Sequence, residues 1–391
     1  MEEVVLYGAD VEGEKFYYRY KDRFKIKYVI DKNGNRSFHG AKVYSFEDKK
    51  DEIRDELVII AVGTQETYNE IAAIMENSGL QEFSNFRSAD SIDKELAILY
   101  GNCHFSVLEQ YLRSNPVFNK KYYMRFYYVA ERNPYPKKAE LDCCKLLISQ
   151  DIREDNSLHI PGAEELCSGT GKDCIKILVP NLLGCNLFFS QAQDLKIDNN
   201  AVLKHMNDEA ILNREIKAKE WSVTWISGWR DRNIENIYES GGGVNEIIDM
   251  IENGTMYSSQ SVLKNFKDQI KKLQKREENC DIKISDYILA NYTQRQLFYD
   301  PNHPTSDVIM EKGRRILRLL GMEINETNIT IKRSKIIDGG ELFIYGCVRK
   351  ALGLQYKQQY IKNNQWEASL YNRPIDLKEY VESYILWHYA E

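Results

Sequence analysis

The sequence predicts an α/β protein in two parts: a small parallel-sheet domain over residues 1–90, then a larger α/β domain over residues 91–391 that is mostly helical in its second half. Three observations predict this. Short β-branched runs alternate with helix-like stretches up to about Ala89. A polar stretch, Ser88-Ala89-Asp90-Ser91, then precedes a second strand–turn–helix unit. Strands thin out after about residue 190 while helical periodicity continues. Strands that alternate with helices are joined by crossovers, which give parallel sheets covered on both faces.

In the first part, Val4–Tyr7 reads as a strand ended by Gly8, Phe16–Tyr20 as helical, Ile26–Ile30 as a strand closed by Asp31, and Val58–Val62 as a strand ended by Gly63. Thr67–Ser78 places Ile71, Ile74 and Met75 on one helical face. The first turn, Gly8-Ala9-Asp10-Val11-Glu12-Gly13, keeps the outer glycines of GxGxxG but puts Asp10 where a pyrophosphate would approach the backbone. A carboxylate there repels phosphate. Asp31 follows at about the spacing from which an acid accepts a ribose hydroxyl. NAD or another nucleotide is therefore a subsidiary expectation for this domain, and a binding or docking scaffold the main one.

In the second part, Leu96–Tyr100 reads as a strand and Gly101-Asn102-Cys103 as its turn, with Phe105, Leu108, Tyr111 and Leu112 at helical spacing after it. Further strands are expected at Lys145–Ser149 and Ile175–Val179, and helices at Val244–Ile251, Ser261–Lys275 and Val308–Leu320. Asp231–Gly243, with three consecutive glycines at its end, reads as a mobile loop, either a surface connection or a lid over a site.

Composition narrows the function. With 43% hydrophobic and 29% charged residues the chain is globular, and its 53 basic against 59 acidic side chains leave a net charge of −6. No global attraction to phosphate backbones arises, so nucleic acid is a poor partner. The longest apolar runs, such as Leu57–Val62, are strand-sized and far below the roughly 20 residues of a membrane helix. The opening Met1-Glu2-Glu3 lacks the basic and apolar segments of a secretion signal, which points to the cytoplasm and to reduced thiols for the eight cysteines. HExxH and paired cysteines at ligand spacing are missing, so metal catalysis is not expected.

Two segments can do chemistry. Cys103 stands where a strand turns sharply into a helix, with Gly101 two positions earlier to permit the tight backbone. The free N–H groups and positive dipole at a helix start favour a thiolate and can hold an oxyanion. Asp300-Pro301-Asn302-His303-Pro304-Thr305 supplies a partner: an Asp three residues before a His on a constrained turn can bind one imidazole nitrogen and leave the other as a general base. Thr305 or Ser306 can cap the helix that follows. Arg153 is a candidate for binding a phosphate, because guanidinium matches phosphate oxygens in pairs.

Together these segments resemble the first and last blocks of SGNH hydrolases, with Cys103 replacing the usual Ser and Asn102 the usual Asp. More closely, Gly101-Asn102-Cys103, Gln150-Asp151-Ile152-Arg153, Val179-Pro180-Asn181-Leu182 and Phe298–Thr305 resemble the WcbI-like polysaccharide biosynthesis family over about residues 95–325. The N-terminal part resembles degenerate Rossmann-like modules attached to bacterial sugar- and polysaccharide-modifying enzymes, through Val43-Tyr44-Ser45 and Ile59–Gly63.

The family resemblance implies a bacterial, capsule-related enzyme that binds coenzyme A and transfers acetyl from acetyl-CoA to a carbohydrate hydroxyl. It implies Cys103, His303 and Asp300 as the catalytic set, Asn102, Gln150, Asn181 and His104 at the oxyanion or substrate, and Arg153 on a coenzyme A phosphate. His104 stands where the family commonly has Gln, and the stretch after Asn181 follows the family only loosely. Two other readings use the same residues: an SGNH-type esterase or deacetylase with water as acceptor, and a non-enzymatic scaffold of polysaccharide assembly. A homo-oligomer or an assembly partner is compatible with each.

Overall fold

The computed structural model describes residues 1–32, 34, 37–129, 135–156, 159–194, 229–324, 341–362 and 374–389. It divides into two compact units, the first comprising residues 1–99, 116–148 and 153–176, and the second residues 100–115, 149–152 and 177–391.

In the first unit β1 (Glu2–Tyr7), β2 (Phe24–Ile30), β3 (Ser37–Phe38), β4 (Ala41–Tyr44), β5 (Val58–Ile60) and β6 (Phe86–Ser88) form one sheet in the order β3-β4-β2-β1-β5-β6. All pairings are parallel except β3 with β4. Val4, Val5 and Leu6 are wholly buried, the mark of a central strand covered on both faces. β1 pairs Val5 with Val58 and Tyr7 with Ile60 on one side, and Leu6 with Val29 on the other.

Helix α1 (Val11–Tyr20), followed in this unit by α2 (Phe46–Lys49) and α3 (Gln65–Asn77), begins five residues before its apolar signal, because only Gly13, Phe16 and Tyr20 of it are buried. Both turn glycines are required by packing. Gly8 has φ +109 and lies against the Ala61 carbonyl, and a Cβ on Gly13 would stand 2.2 Å from the Gly8 oxygen. Asp31 accepts the Ala9 N–H at 3.0 Å, so this carboxylate holds the first turn closed. A cleft of about 590 Å³ opens at the carboxyl ends of β1, β2 and β5, and Asp10, Glu12, Asp31 and Glu70 are among its lining residues. Lys32 lines it too, so the lining is acidic on balance.

A second sheet has the order β10-β9-β7-β8, from β7 (Glu95–Gly101), β8 (Tyr122–Tyr128), β9 (Cys144–Gln150) and β10 (Ile175–Val179). The strands expected at 96–100, 145–149 and 175–179 are all present, the first two extended by a residue at each end. The chain is thus α/β, with helices dominating after residue 190 among the described residues.

The core of the second unit gathers Phe188, Phe189, Phe266, Phe298, Ile344 and Tyr384. The C-terminal segment is therefore partly core: Leu342–Tyr345, Tyr380, Val381 and Tyr384 are buried.

One expectation is corrected. Residues 232–239 of the supposed loop are an α-helix with Ile234 and Glu235 buried, and only the turn after it uses the glycines, with Gly241 at φ +88. Asp231 caps this helix, accepting from Asn233 N–H at 3.0 Å and Ile234 N–H at 3.4 Å, a start signal that the glycine run obscured. Among the described residues no helix is long and apolar enough to cross a membrane.

Candidate active site

The second unit brings Asn102, Cys103, His104, Gln150, Asp300 and His303 into one framework. β7 delivers Asn102 and Cys103 to the head of helix α4 (His104–Ser114), where Cys103 is 8% exposed. Gly101 matters here for a reason other than backbone freedom. Its φ is ordinary, but a Cβ would stand 2.5 Å from the Phe105 ring, so glycine lets the helix fold back onto its own entry.

Two side chains set the turn. Gln150, at the end of β9 and 2% exposed, accepts the Asn102 N–H on Oε1 at 2.8 Å. Asn102 Oδ1 accepts the His104 N–H at 3.1 Å, which fixes its amide orientation and leaves Nδ2 buried with no hydrogen-bond partner. A buried, partnerless N–H₂ beside a cysteine is costly unless something else supplies an acceptor.

Asp300 and His303 are placed by a short turn. Asp at the first position and Pro301 at the second suit a type I turn, and the His303 N–H returns to the Asp300 carbonyl at 3.4 Å. A bridge between Phe298 and Pro304 closes its base. Asp300 is 1% exposed and fully engaged: Oδ1 accepts from the Asn302 N–H at 2.6 Å and the His303 N–H at 2.9 Å, while Oδ2 takes the His303 Nδ1–H at 2.7 Å.

With Nδ1 held by Asp300, Nε2 is the ring nitrogen left for chemistry. Burial disfavours the charged ring, yet the hydrogen bond and charge of Asp300, together with the neighbouring Cys103, push His303 up to about 10. Thr305 does start the next helix, α5 (Ser306–Leu319), but with its carbonyl; its hydroxyl makes no cap and is buried without a partner.

His104 has a different environment. Its Nε2 lies 2.7 Å from the Asn302 carbonyl, which can only accept, so Nε2 carries the proton. Burial first, then Lys312 and His303, hold this ring well below the usual histidine range, and it is neutral. The two rings meet edge-on with centroids 6.3 Å apart.

The remaining candidates are engaged with other partners. Asn181 turns its side chain onto its own loop, accepting the Leu183 N–H at 2.9 Å. Arg153 belongs to the first unit, with its side chain 81% exposed and paired to Asp155 at 2.8 Å.

Sequence reasoning missed Lys312 and Asn302. Lys312 on α5 is 2% exposed and donates to the Pro180 carbonyl at 2.9 Å. Burial pushes its amine down to about 8, against Cys185, Cys280 and Glu277, which favour its charge. Its neighbour Gly313 gave the available signal: a Cβ there would stand 2.2 Å from the Tyr111 ring, so glycine is what lets α5 pack tightly on α4.

An α/β frame with a cysteine at a strand-to-helix turn and an Asp–His pair on a late turn defines the class of protein. The model of the family described as polysaccharide biosynthesis enzyme WcbI matches residues 96–188 and 222–325, just over half of the chain, and the chain belongs to that family of enzymes. Cys103, Gln150, Asn181, Asp300 and His303 all fall inside the matched segments.

The fold is similar to a solved structure of WcbI, a novel polysaccharide biosynthesis enzyme, with a TM-score of 0.53 and 14% identity over 76% of this chain and 91% of that one. That structure is of the native protein without a disulfide bond between coenzyme A and one of its cysteines. Comparison with curated proteins gives no match.

Proposed function

We propose that this chain is a coenzyme A-dependent acyl transferase that moves an acetyl group from acetyl-CoA to a carbohydrate hydroxyl in polysaccharide biosynthesis. The observation that carries the reading is the Asp300–His303 pair, with Cys103 among the groups acting on His303 and the partnerless Asn102 Nδ2 next to Cys103 in the chain. A thioester fits this set. It offers a carbonyl for a thiol to attack and an oxygen that becomes anionic and needs an N–H donor. The neighbouring structure is described with coenzyme A and a cysteine, which supports coenzyme A as the ligand here and Cys103 as the cysteine beside it. A phosphate contact at Arg153 is the weaker part of the reading, because Asp155 already pairs with it.

In the covalent route Cys103 Sγ attacks the acetyl carbonyl while His303 Nε2 holds the thiol proton, and Asn102 Nδ2 donates to the developing oxyanion. Collapse breaks the bond to the coenzyme A sulfur, and His303 returns the proton to that leaving thiolate. His303 then takes the proton of the sugar hydroxyl as its oxygen attacks the acyl-cysteine, and Cys103 leaves as the thiol's conjugate base. In the direct route a neutral His303 takes the hydroxyl proton as the sugar oxygen attacks the thioester carbonyl, and returns it to the coenzyme A thiolate as the C–S bond breaks. Asp300 keeps Nε2 aimed at the reacting groups in both.

Incubating the full chain with radiolabelled acetyl-CoA tests the proposal. Acetyl transferred to an added sugar is expected and His303→Ala should abolish it; label on the Cys103 peptide, lost together with transfer in Cys103→Ala, marks the covalent route, and transfer that survives Cys103→Ala marks the direct one. Release of acetate from acetylated sugars without coenzyme A would instead favour the esterase.

A further inference from the structure

Asn302 lies between the two members of the Asp–His pair and makes three unlike contacts. Its N–H donates to Asp300 Oδ1 at 2.6 Å, its carbonyl accepts from His104 Nε2–H at 2.7 Å, and its side-chain Oδ1 accepts from Gly184 N–H at 2.8 Å. One residue thus joins the turn that carries His303, the helix that carries Cys103, and the loop that leaves β10.

That loop is an anchored element. Lys312 Nζ donates to the Pro180 carbonyl at 2.9 Å, and the Arg276 guanidinium donates to the carbonyls of Asn181 at 3.2 Å and Leu183 at 2.8 Å. Asn265 Nδ2 donates to the Asn186 carbonyl at 3.0 Å. Gly184, at φ +69, presents its N–H to Asn302 from a backbone conformation that side chains rarely adopt.

The His303 turn is therefore fastened on one side to α4 through His104 and on the other to a fixed loop through the Asn302 amide. Hydrogen-bonded distances of this kind decide alignment: a displacement of about 1 Å between reacting groups costs on the order of 100-fold in rate.

We propose that Asn302 is a positioning residue, whose side chain clamps the His303 turn between helix α4 and the 180–186 loop and so keeps His303 Nε2 in line with Cys103 Sγ. The reading rests on the proposed pairing of Cys103 with His303 but not on the identity of the acyl donor. The groups that face His303 are Asp300, Cys103 and His104, with Lys312 facing His104 from α5.

The test is the rate at which iodoacetamide alkylates Cys103 in the full chain from pH 6 to 10, followed by peptide mass spectrometry, with melting temperature and coenzyme A affinity measured beside it. Asn302→Ala should slow alkylation at pH 7 by about tenfold or more and raise the midpoint of the pH profile, because a misplaced imidazolium stabilises the thiolate less. Asn302→Asp, which keeps an oxygen for the Gly184 N–H, should restore the rate to within a few-fold.

Should Asn302→Ala not fold, Asn302→Ser removes the same reach and serves in its place. A lower melting temperature with the wild-type rate and midpoint would overturn the proposal, as would an Asp variant as slow as the Ala one. Because alkylation needs no coenzyme A, a failure of coenzyme A to bind would remove the acyl-transfer reading and leave this result standing.

Discussion

Replacing Asp300 by Asn tests the electrostatic core of the site. His303 is raised from 6.5 to about 10 although burial opposes its charge. The rise corresponds to on the order of 5 kcal/mol in favour of the imidazolium. The Asp300 hydrogen bond is the leading favourable cause and its charge adds to it. An amide keeps the shape and removes the charge, so burial should then win, and the ring should titrate at least two pH units lower, near or below 6.5.

The substitution also offers an N–H to Nδ1, which moves the ring proton to Nε2, where it faces Cys103 and blocks its use as a base. In triads of this type that change costs about 10⁴ in rate. The assay is NMR titration of isotope-labelled histidine side chains, with His303 assigned by its own substitution and neutral His104 as the internal contrast. Linkage gives a second readout. A folded pKa above the unfolded one adds stability that is complete below about 6.5 and is lost as pH rises through about 10. The wild type should therefore lose more stability than Asp300→Asn between pH 7 and 10. A His303 midpoint that stays in place in the variant would refute the reasoning.

Asn102→Ala should lower turnover of acetyl-CoA by about 10²–10³ while leaving coenzyme A affinity within a few-fold, read by steady-state kinetics, because it removes an oxyanion donor. Asp231, 4% exposed, is raised by burial from 3.8 to about 6 despite the Tyr345 hydroxyl that donates to it at 2.7 Å. The folded chain then holds this proton more tightly than the unfolded one, so stability falls as pH rises from about 4 to 6. Asp231→Asn should remove that fall and gain on the order of 1–3 kcal/mol at pH 7 by denaturant unfolding. In the first unit, Arg125 joins two buried carboxylates, Glu82 at 2.7 Å and Glu140 at 3.7 Å, which also accept from Tyr68 and Tyr127. Arg125→Met should cost about 3–5 kcal/mol, because it strands both charges.

The legible parts of the fold are those with a local signal. β10 was read to the residue, since Ile175–Val179 is a short apolar run bounded by turn residues, and helix α5 was read through Val308, Ile309, Ile316 and Leu317. The start of α1 was not, because its first turn is exposed and carries no periodicity. Helix 232–239 was hidden by the glycines behind it, although Asp231 and the Ile234, Ile237 and Tyr238 spacing mark it in retrospect.

In the site, Asp-Pro-Asn-His announces its turn through local chemistry, and Asp300 and His303 are joined as that spacing implies. The function of Gly101 was misjudged because a ring four residues on, not the backbone angle, demands it. Asn302 and Lys312 were missed because their partners, Gly184 and Pro180, lie more than 100 residues away, where no local pattern reaches.

Calorimetric titration of the full chain with coenzyme A tests the central claim most directly. The account predicts saturable binding, with acetyl-CoA bound by His303→Ala as well but no longer turned over. Absence of any heat at millimolar coenzyme A would contradict an acyl-transfer role for the Cys103–His303–Asp300 site.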